Sequence, residues 1–174
     1  MRLFSFFVFL SIFFSGFIFC NDDIVLKSDR VVFDVKTNLM KAYDGVDLFY
    51  DDIQIHGQNV VYDKTASHLK FNENVSIKSE SIDIFCAVAN FFVDKNLLKA
   101  SENVEFNFVF NNGETGYGSC NIIDFFVSER LMVLKGNSVL FYNGSDFKSD
   151  ILTINMDSGK VIGSGKVNLN MEIN

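Results

Sequence analysis

The sequence predicts an all-β protein built from about five copies of one unit of roughly 29 residues. After residue 20, apolar and polar residues alternate in short runs, which places the apolar side chains on one face of each strand. A valine that opens the third run of each unit recurs at positions 46, 75, 104, 139 and 167. Such a sustained period is typical of stacked or arrayed supersecondary units. No stretch after residue 20 has a convincing helical spacing of apolar residues.

The first twenty residues have the pattern of an export segment. Arg2 precedes a nearly unbroken apolar run, Leu3–Phe19, which ends abruptly at Asn21. This pattern predicts either a cleaved signal peptide or a retained membrane anchor over residues 1–20. Acylation of Cys20 is a third interpretation, although the preceding Phe19 is larger than a lipoprotein signal prefers. All three interpretations place residues 21–174 outside the cytoplasm as one domain.

The first two units follow the leader in order. In the first unit, Val31 alternates with Phe33, and a later run starts at Val46. The second unit, Gly57–Cys86, is the clearest copy, with three alternating runs separated by Asp- and Asn-containing turns. Its predicted inward residues serve as the template for the other units; they are Val60, Tyr62, Leu69, Phe71, Val75, Ile77, Ile82 and Ile84.

Three further units complete the chain. They cover Ala89–Phe110, Ile123–Ser149 and Ile151–Ile173. The segment Asn111–Ser119, rich in Gly and Asn, separates the third unit from the fourth and predicts a flexible inserted loop. Two all-β architectures fit this organisation: a sandwich or jelly roll, and a β-solenoid.

The charge of the chain argues against two classes of partner. The formal net charge is −7, and no basic run is present. Nucleic-acid binding requires clustered Lys and Arg to neutralise phosphates, so no nucleic-acid partner is expected. The same deficit of cations argues against electrostatic docking on an anionic membrane surface.

No motif in the sequence predicts an enzyme, a metal site or a cofactor. The only two histidines, His56 and His68, have no Cys or His partner at metal-ligand spacing. The Gly-rich segment near Gly113 has no following helix to complete a phosphate-binding loop. We therefore expect structural or surface roles for both histidines.

Cys86 and Cys120 occupy the same place in consecutive units, once the insertion is allowed for. In an oxidising compartment they could form a disulfide. The sequence does not supply the geometry that such a bridge needs, so two buried free thiols are the alternative.

The number of inward aromatic residues exceeds what an ordinary core needs. An aromatic sandwich core is one explanation. The other is an apolar groove open to a lipid chain, because sites for apolar ligands are concave and lined by aromatic side chains. The predicted lipid-binding residues of this inward face are Phe33, Tyr62, Phe71, Ile77, Ile84, Phe91, Phe106, Phe108, Phe125 and Phe141.

The unit Val60-Val61-Tyr62-Asp63, followed by Leu69–Ile77 and Ile82–Ile84, resembles the OstA-like repeat of the lipopolysaccharide-transport proteins LptA, LptC and the N-terminal domain of LptD. The resemblance extends from about Asp29 to Ile173. The Gly that usually precedes the Asn-Val pair is kept only in part, and the Gly-rich insertion is extra. Leader and length are most similar to LptA, with LptC as the second choice.

The resemblance implies a V-shaped β-jelly roll in the periplasm. Its interior would hold the acyl chains of lipopolysaccharide or a related glycolipid in transit between the two membranes. Its open edge strands would pair head-to-tail with like domains: a second copy, an LptC-like or an LptD-like domain. The alternative from the residues themselves is an exported structural or adhesive β-repeat protein with a closed core.

Overall fold

The computed structural model describes residues 18–20 and 24–171, and it is all β apart from one short 3₁₀ turn, Val93–Lys95. Of the predicted signal or anchor, only Ile18–Cys20 therefore belongs to the described residues. Ile173, at the end of the fifth unit, lies outside them. The strands are β1 Ile18–Cys20, β2 Ile24–Asp34, β3 Leu39–Tyr50, β4 Ile53–Gly57, β5 Asn59–Asp63, β6 His68–Lys78, β7 Ile82–Phe92, β8 Leu97–Val109, β9 Thr115–Phe126, β10 Leu131–Tyr142, β11 Ser145–Asn155, β12 Lys160–Ser164 and β13 Asn168–Met171.

All described strand pairs are antiparallel, and the strands form one sheet that largely follows chain order. β4 and β5 together occupy one strand position between β3 and β6, and β12 and β13 together occupy the last position beside β11. This ladder confirms the predicted all-β fold and selects the jelly roll over the solenoid.

A line of register breaks crosses the middle of every long strand and divides the sheet in two. We call residues 24–28, 46–57, 75–86, 104–120, 138–149 and 168–171 the first half-sheet, and residues 30–43, 59–72, 88–101, 122–135 and 151–164 the second half-sheet. The line between them is the bend. Apolar residues of both half-sheets belong to a single buried core, so the sheet folds over on itself at the bend.

Consecutive residues in the left-handed conformation produce the bend on four strands. They are Asp44-Gly45, Glu73-Asn74, Glu102-Asn103 and Gly136-Asn137, all with φ between 50° and 90°. Each pair inserts extra residues opposite a shorter partner strand, which is the geometry of a β-bulge and bends the sheet. Asn and Gly tolerate positive φ better than other residues, which explains their recurrence before the third run of each unit.

Glu73 and Glu102 hold left-handed conformations, with φ of 65° and 66°, that favour glycine. Replacing either by Gly should raise the free energy of unfolding by about 1 kcal/mol, since the Cβ penalty disappears. Urea unfolding monitored by circular dichroism measures this. Glu105→Gly, in the regular part of β8, is the matched control and should lower stability; a loss in all three variants would contradict the prediction.

The position of the bend shows that the predicted alignment of the fourth unit with the other units was wrong by one residue. Gly136 and Asn137 are the left-handed pair there, so the residue equivalent to Val75 is Ser138 and not Val139. Ser138 is buried, with 1% of its surface exposed, and Val139 points to the outer face. The predicted alternation was therefore shifted by one residue, which moves side chains to the opposite face.

The predicted flexible loop Asn111–Ser119 is also corrected. Only the part before Thr115 is a turn, because β9 begins at Thr115. Gly116 and Gly118 lie on the inward face of β9, where a Cβ on Gly116 would lie 2.5 Å from Cζ of Phe108. The two glycines leave the space that the rings of Phe106 and Phe108 occupy, so their role is close packing.

Candidate functional site

The inward face that the sequence predicted is largely the core of the jelly roll. Seven of the predicted residues are buried, each with at most 3% of its surface exposed; they are Phe71, Ile77, Ile84, Phe91, Phe106, Phe108 and Phe125. Tyr62 is partly buried and packs against this core. At these positions the two half-sheets face each other directly, so the interior is closed.

Two predicted site residues lie elsewhere. Phe33 is 51% exposed, because the second half of β2 is an open edge with no strand beyond it among the described residues. Phe141 points to the outer face, where it stacks on Tyr117 with ring centroids 5.1 Å apart. The shift at Gly136-Asn137 explains this error, and Leu140 takes the inward position.

The edge of the molecule opposite the bend, where the hairpin turns of both half-sheets lie, is the mouth of the fold. Polar contacts bridge it. The hydroxyl of Tyr50, on the first half-sheet, donates a hydrogen bond to Oδ1 of Asn96, in a turn of the second half-sheet. At the C-terminal end, Nδ2 of Asn111 donates across the mouth to Oδ1 of Asp157 at 3.3 Å. Arg130, which lies on the same half-sheet as Asp157, donates to that oxygen through Nε at 2.8 Å. These contacts hold the turns of the two half-sheets together.

A cleft of about 190 Å³ opens at the mouth beside the Tyr50 bridge. Its apolar lining includes Ile53, Phe125 and Val127, and its polar rim includes Asn96 and Arg130. Because Phe125 belongs to the core, this cleft is one place where the inward apolar face approaches solvent. Its volume is below the roughly 300–1,000 Å³ of typical ligand pockets, so a lipid chain would need the half-sheets to separate.

Sequence reasoning missed the mouth residues. Tyr50 and Asn96 are separated by 46 residues, as are Asn111 and Asp157. Each is polar or aromatic and lies in or beside a turn, where such residues are common for local reasons. No local pattern in the sequence distinguishes a turn residue that bridges two half-sheets from one that only caps its own turn.

Of the two alternatives left open for Cys86 and Cys120, the structure has the free thiols and not the disulfide. Cys86 and Cys120 are buried free thiols. They lie on β7 and β9, with β8 between them, so their backbones are about 10 Å apart, beyond disulfide reach. Each thiol lies at the bend and donates a hydrogen bond at 3.3 Å to the carbonyl two residues ahead. Ser149 makes the same contact at 2.8 Å at the bend of β11, so these positions take a small donor.

Burial raises the pKa of Cys86 to about 11 and that of Cys120 to about 12. Since each pKa is higher in the folded chain than the ordinary thiol value of about 9, the stability from burying neutral thiols is complete below pH 9 and declines as pH rises towards 11–12. In a Cys20→Ser chain, neither thiol should react with a disulfide reagent at pH 8 until urea unfolds the protein.

Absorbance of the released thiolate measures this reaction, and urea titrations from pH 7 to 11 measure the stability. In the double variant Cys86→Ser/Cys120→Ser, the free energy of unfolding should decline much less at alkaline pH. Fewer than two reactive thiols in the unfolded, unreduced Cys20→Ser chain would instead indicate a bridge.

The two histidines contact side chains on neighbouring strands. The His68 ring stacks on Phe92, with centroids 4.6 Å apart, and its Nε2 lies 3.0 Å from Oδ1 of Asn90. His56 lies 2.9 Å from a carboxylate oxygen of Asp47. Within residues 24–171, no group of three or more His, Cys, Asp or Glu side chains is placed to hold a metal ion. The described residues also include no helix of the length and apolarity needed to cross a membrane.

The chain is similar to known proteins of lipopolysaccharide transport. The family model described as LptA/(LptD N-terminal domain) LPS transport protein matches residues 26–160. Among solved structures, LptH of Pseudomonas aeruginosa, described as the LptA-homologous periplasmic component of the lipopolysaccharide transport device, matches with a TM-score of 0.59. The match covers 87% of this chain and 96% of LptH at 10% sequence identity, and at that identity it shows the fold alone. No curated protein matches the chain significantly.

Proposed function

Because this chain belongs to the LptA/(LptD N-terminal domain) LPS transport protein family, we propose that it is a periplasmic bridge component that carries lipopolysaccharide or a related glycolipid between the two membranes. The observation that carries the proposal is the continuous apolar face between the half-sheets, which reaches solvent at the mouth cleft. The acyl chains would lie between the half-sheets and the sugar headgroup would stay outside.

The closed interior defines how loading would occur. Phe71, Phe91 and Phe106 are in contact with protein on all sides, so an acyl chain must displace core contacts. Each CH₂ that the interior removes from water contributes about 0.8 kcal/mol, which offsets the loss of those contacts. We infer that entry begins at Phe125 and Val127 and that the half-sheets separate as the chain advances.

The edges of the sheet support the proposed head-to-tail contacts. The open half of β2 exposes Val31, Val32 and Phe33, and β12 at the other end of the same half-sheet exposes Ile162 at 48%. The open β2 edge of one copy would therefore pair with β12 of the next and continue the second half-sheet.

A photoreactive residue tests the proposed function. Phe125 replaced by a benzoyl-phenylalanine residue should form an adduct with lipopolysaccharide, detected as a band shift that an antibody to lipopolysaccharide recognises. The matched control is the same replacement at Phe141, which faces outward and should give no adduct. No adduct at Phe125, Tyr50 or Phe91 would overturn the proposal and favour the exported structural protein with a closed core.

A further inference from the structure

The net charge of the chain conceals a separation of charge between the half-sheets. Of the fourteen Lys and Arg residues between positions 24 and 171, ten lie on the second half-sheet or its hairpin turns, together with six carboxylates. The first half-sheet and its turns carry three cations and eight carboxylates. The bend adds five carboxylates, among them Glu73 and Glu102. One side of the molecule is therefore cationic although the whole is acidic.

The outer face of the second half-sheet concentrates these cations. Its two rows nearest the bend contain five of them and a single carboxylate, Asp124. That carboxylate is 5% exposed and lies beneath two lysines, with Nζ of Lys99 at 3.2 Å and Nζ of Lys135 at 2.5 Å. We call this surface the cationic face; its cations are Arg30, Lys41, Lys70, Lys99 and Lys135.

Three lysines of the cationic face form a regular row. Lys41, Lys70 and Lys99 occupy the same position in consecutive 29-residue units. They share one cross-strand row, because Lys41 pairs with Val61, which pairs with Lys70, and Asn90 connects Lys70 to Lys99. Two strand spacings separate neighbours, which is about 10 Å. Lys41 and Lys70 are exposed, and neither lies within ion-pair distance of a carboxylate among the described residues; Lys41 attracts Asp34 at longer range.

Apolar side chains flank this row on the same surface. The row nearest the mouth contains Phe92, Leu97, Phe126 and Leu131 on four adjacent strands, each only partly buried. On the bend side, Ile122 is 40% exposed. The surface thus combines separated point charges with apolar and aromatic groups on a broad sheet face.

We propose that the cationic face docks onto the anionic headgroup layer of a lipid bilayer. Lysines are point charges on flexible stems and suit a fluid array of phosphates, whereas recognition of a single phosphate or carboxylate favours the bidentate fork of Arg. Each Lys near an anionic surface strengthens binding by about fivefold. The bend and the first half-sheet carry excess carboxylates, so an anionic surface attracts the molecule only from this side. The deficit of cations in the whole chain thus does not extend to this face.

Vesicle binding by the full-length chain tests the proposal. The variant Lys41→Glu/Lys70→Glu is compared with Lys27→Glu/Lys78→Glu, which removes two exposed lysines from the first half-sheet and changes the net charge equally. Both keep residues 1–20, so any binding through that segment is common to them. The probe is co-sedimentation with vesicles of phosphatidylglycerol and phosphatidylcholine at low salt, with pure phosphatidylcholine vesicles in parallel.

We expect the wild-type chain to partition onto the anionic vesicles, to lose that binding as salt is added, and to bind neutral vesicles at least tenfold more weakly. The Lys41/Lys70 variant should bind anionic vesicles at least tenfold more weakly than the Lys27/Lys78 variant. Equal binding by the two variants, equal binding to both vesicle types, or no wild-type binding at low salt would overturn the proposal. Circular dichroism confirms that both variants are folded. Because no glycolipid adduct is measured, the outcome is independent of the proposed cargo.

Discussion

Cross-linking the two half-sheets at the mouth is expected to abolish lipid capture. The pair Asn111→Cys/Asp157→Cys replaces two exposed residues that already meet across the mouth at 3.3 Å. A short bis-methanethiosulfonate reagent would tie the turns together and prevent the separation that an acyl chain requires. We expect photo-capture of lipopolysaccharide at position 125 to fall at least tenfold on cross-linking and to return when dithiothreitol reverses it.

The matched control is a cross-link within one half-sheet. Glu114→Cys/Tyr142→Cys joins two neighbouring turns of the first half-sheet, whose native side chains also meet through a hydrogen bond. Both pairs are placed in a Cys20→Ser chain, where Cys86 and Cys120 do not compete because burial raises their pKa values to about 11 and 12. The control cross-link should leave capture unchanged. Equal capture by both cross-linked proteins would show that lipid does not enter through the mouth, whereas no capture in any state counts against lipid carriage itself.

Proline scanning of the open β2 edge should separate assembly from folding. The N–H groups of successive strand residues point in opposite directions, so one of Val31 and Val32 donates to β3 and the other faces the open edge. Proline at the edge-facing position removes a hydrogen-bond donor that only a strand of another copy would use. It should lower self-association at least tenfold and leave the monomer folded. Proline at the other position should cost about 1–3 kcal/mol of stability.

Analytical ultracentrifugation measures assembly, and urea unfolding measures stability. A proline variant of β12, at whichever of Val161 and Ile162 faces the open edge, should likewise be monomeric. Mixing the edge-facing β2 variant with the β12 variant should restore a dimer, because each retains the edge that the other lacks, as heterologous contacts require. If the edge-facing β2 variant formed oligomers as large as those of the wild-type chain, or if mixing gave no dimer, head-to-tail pairing of these edges would be contradicted.

Most of the fold could be predicted from the sequence because its signals are local. Residues such as Phe71, Ile77 and Ile84 alternate with polar neighbours, and this alternation alone assigns them to the inward face. The repeat period is equally local, since each unit contains its own turns and its own Asn or Gly before the third run. The same reasoning failed at Phe141. The bulge at Gly136-Asn137 shifts the alternation by one residue, which the sequence pattern does not reveal, and Phe141 therefore points to the outer face.

The sequence could not determine whether the inward face is closed, because closure depends on the tertiary structure. The bridges from Tyr50 to Asn96 and from Asn111 to Asp157 join residues 46 positions apart, and no short-range pattern records them. The segregation of charge has the same origin: the lysines at 41, 70 and 99 are separated by whole units in sequence and become one row only when the strands pair. The sequence by itself thus determined the strands, the repeat and the buried set. The folding of the sheet at the bend decided which surfaces meet, because contact between half-sheets depends on pairings across many residues.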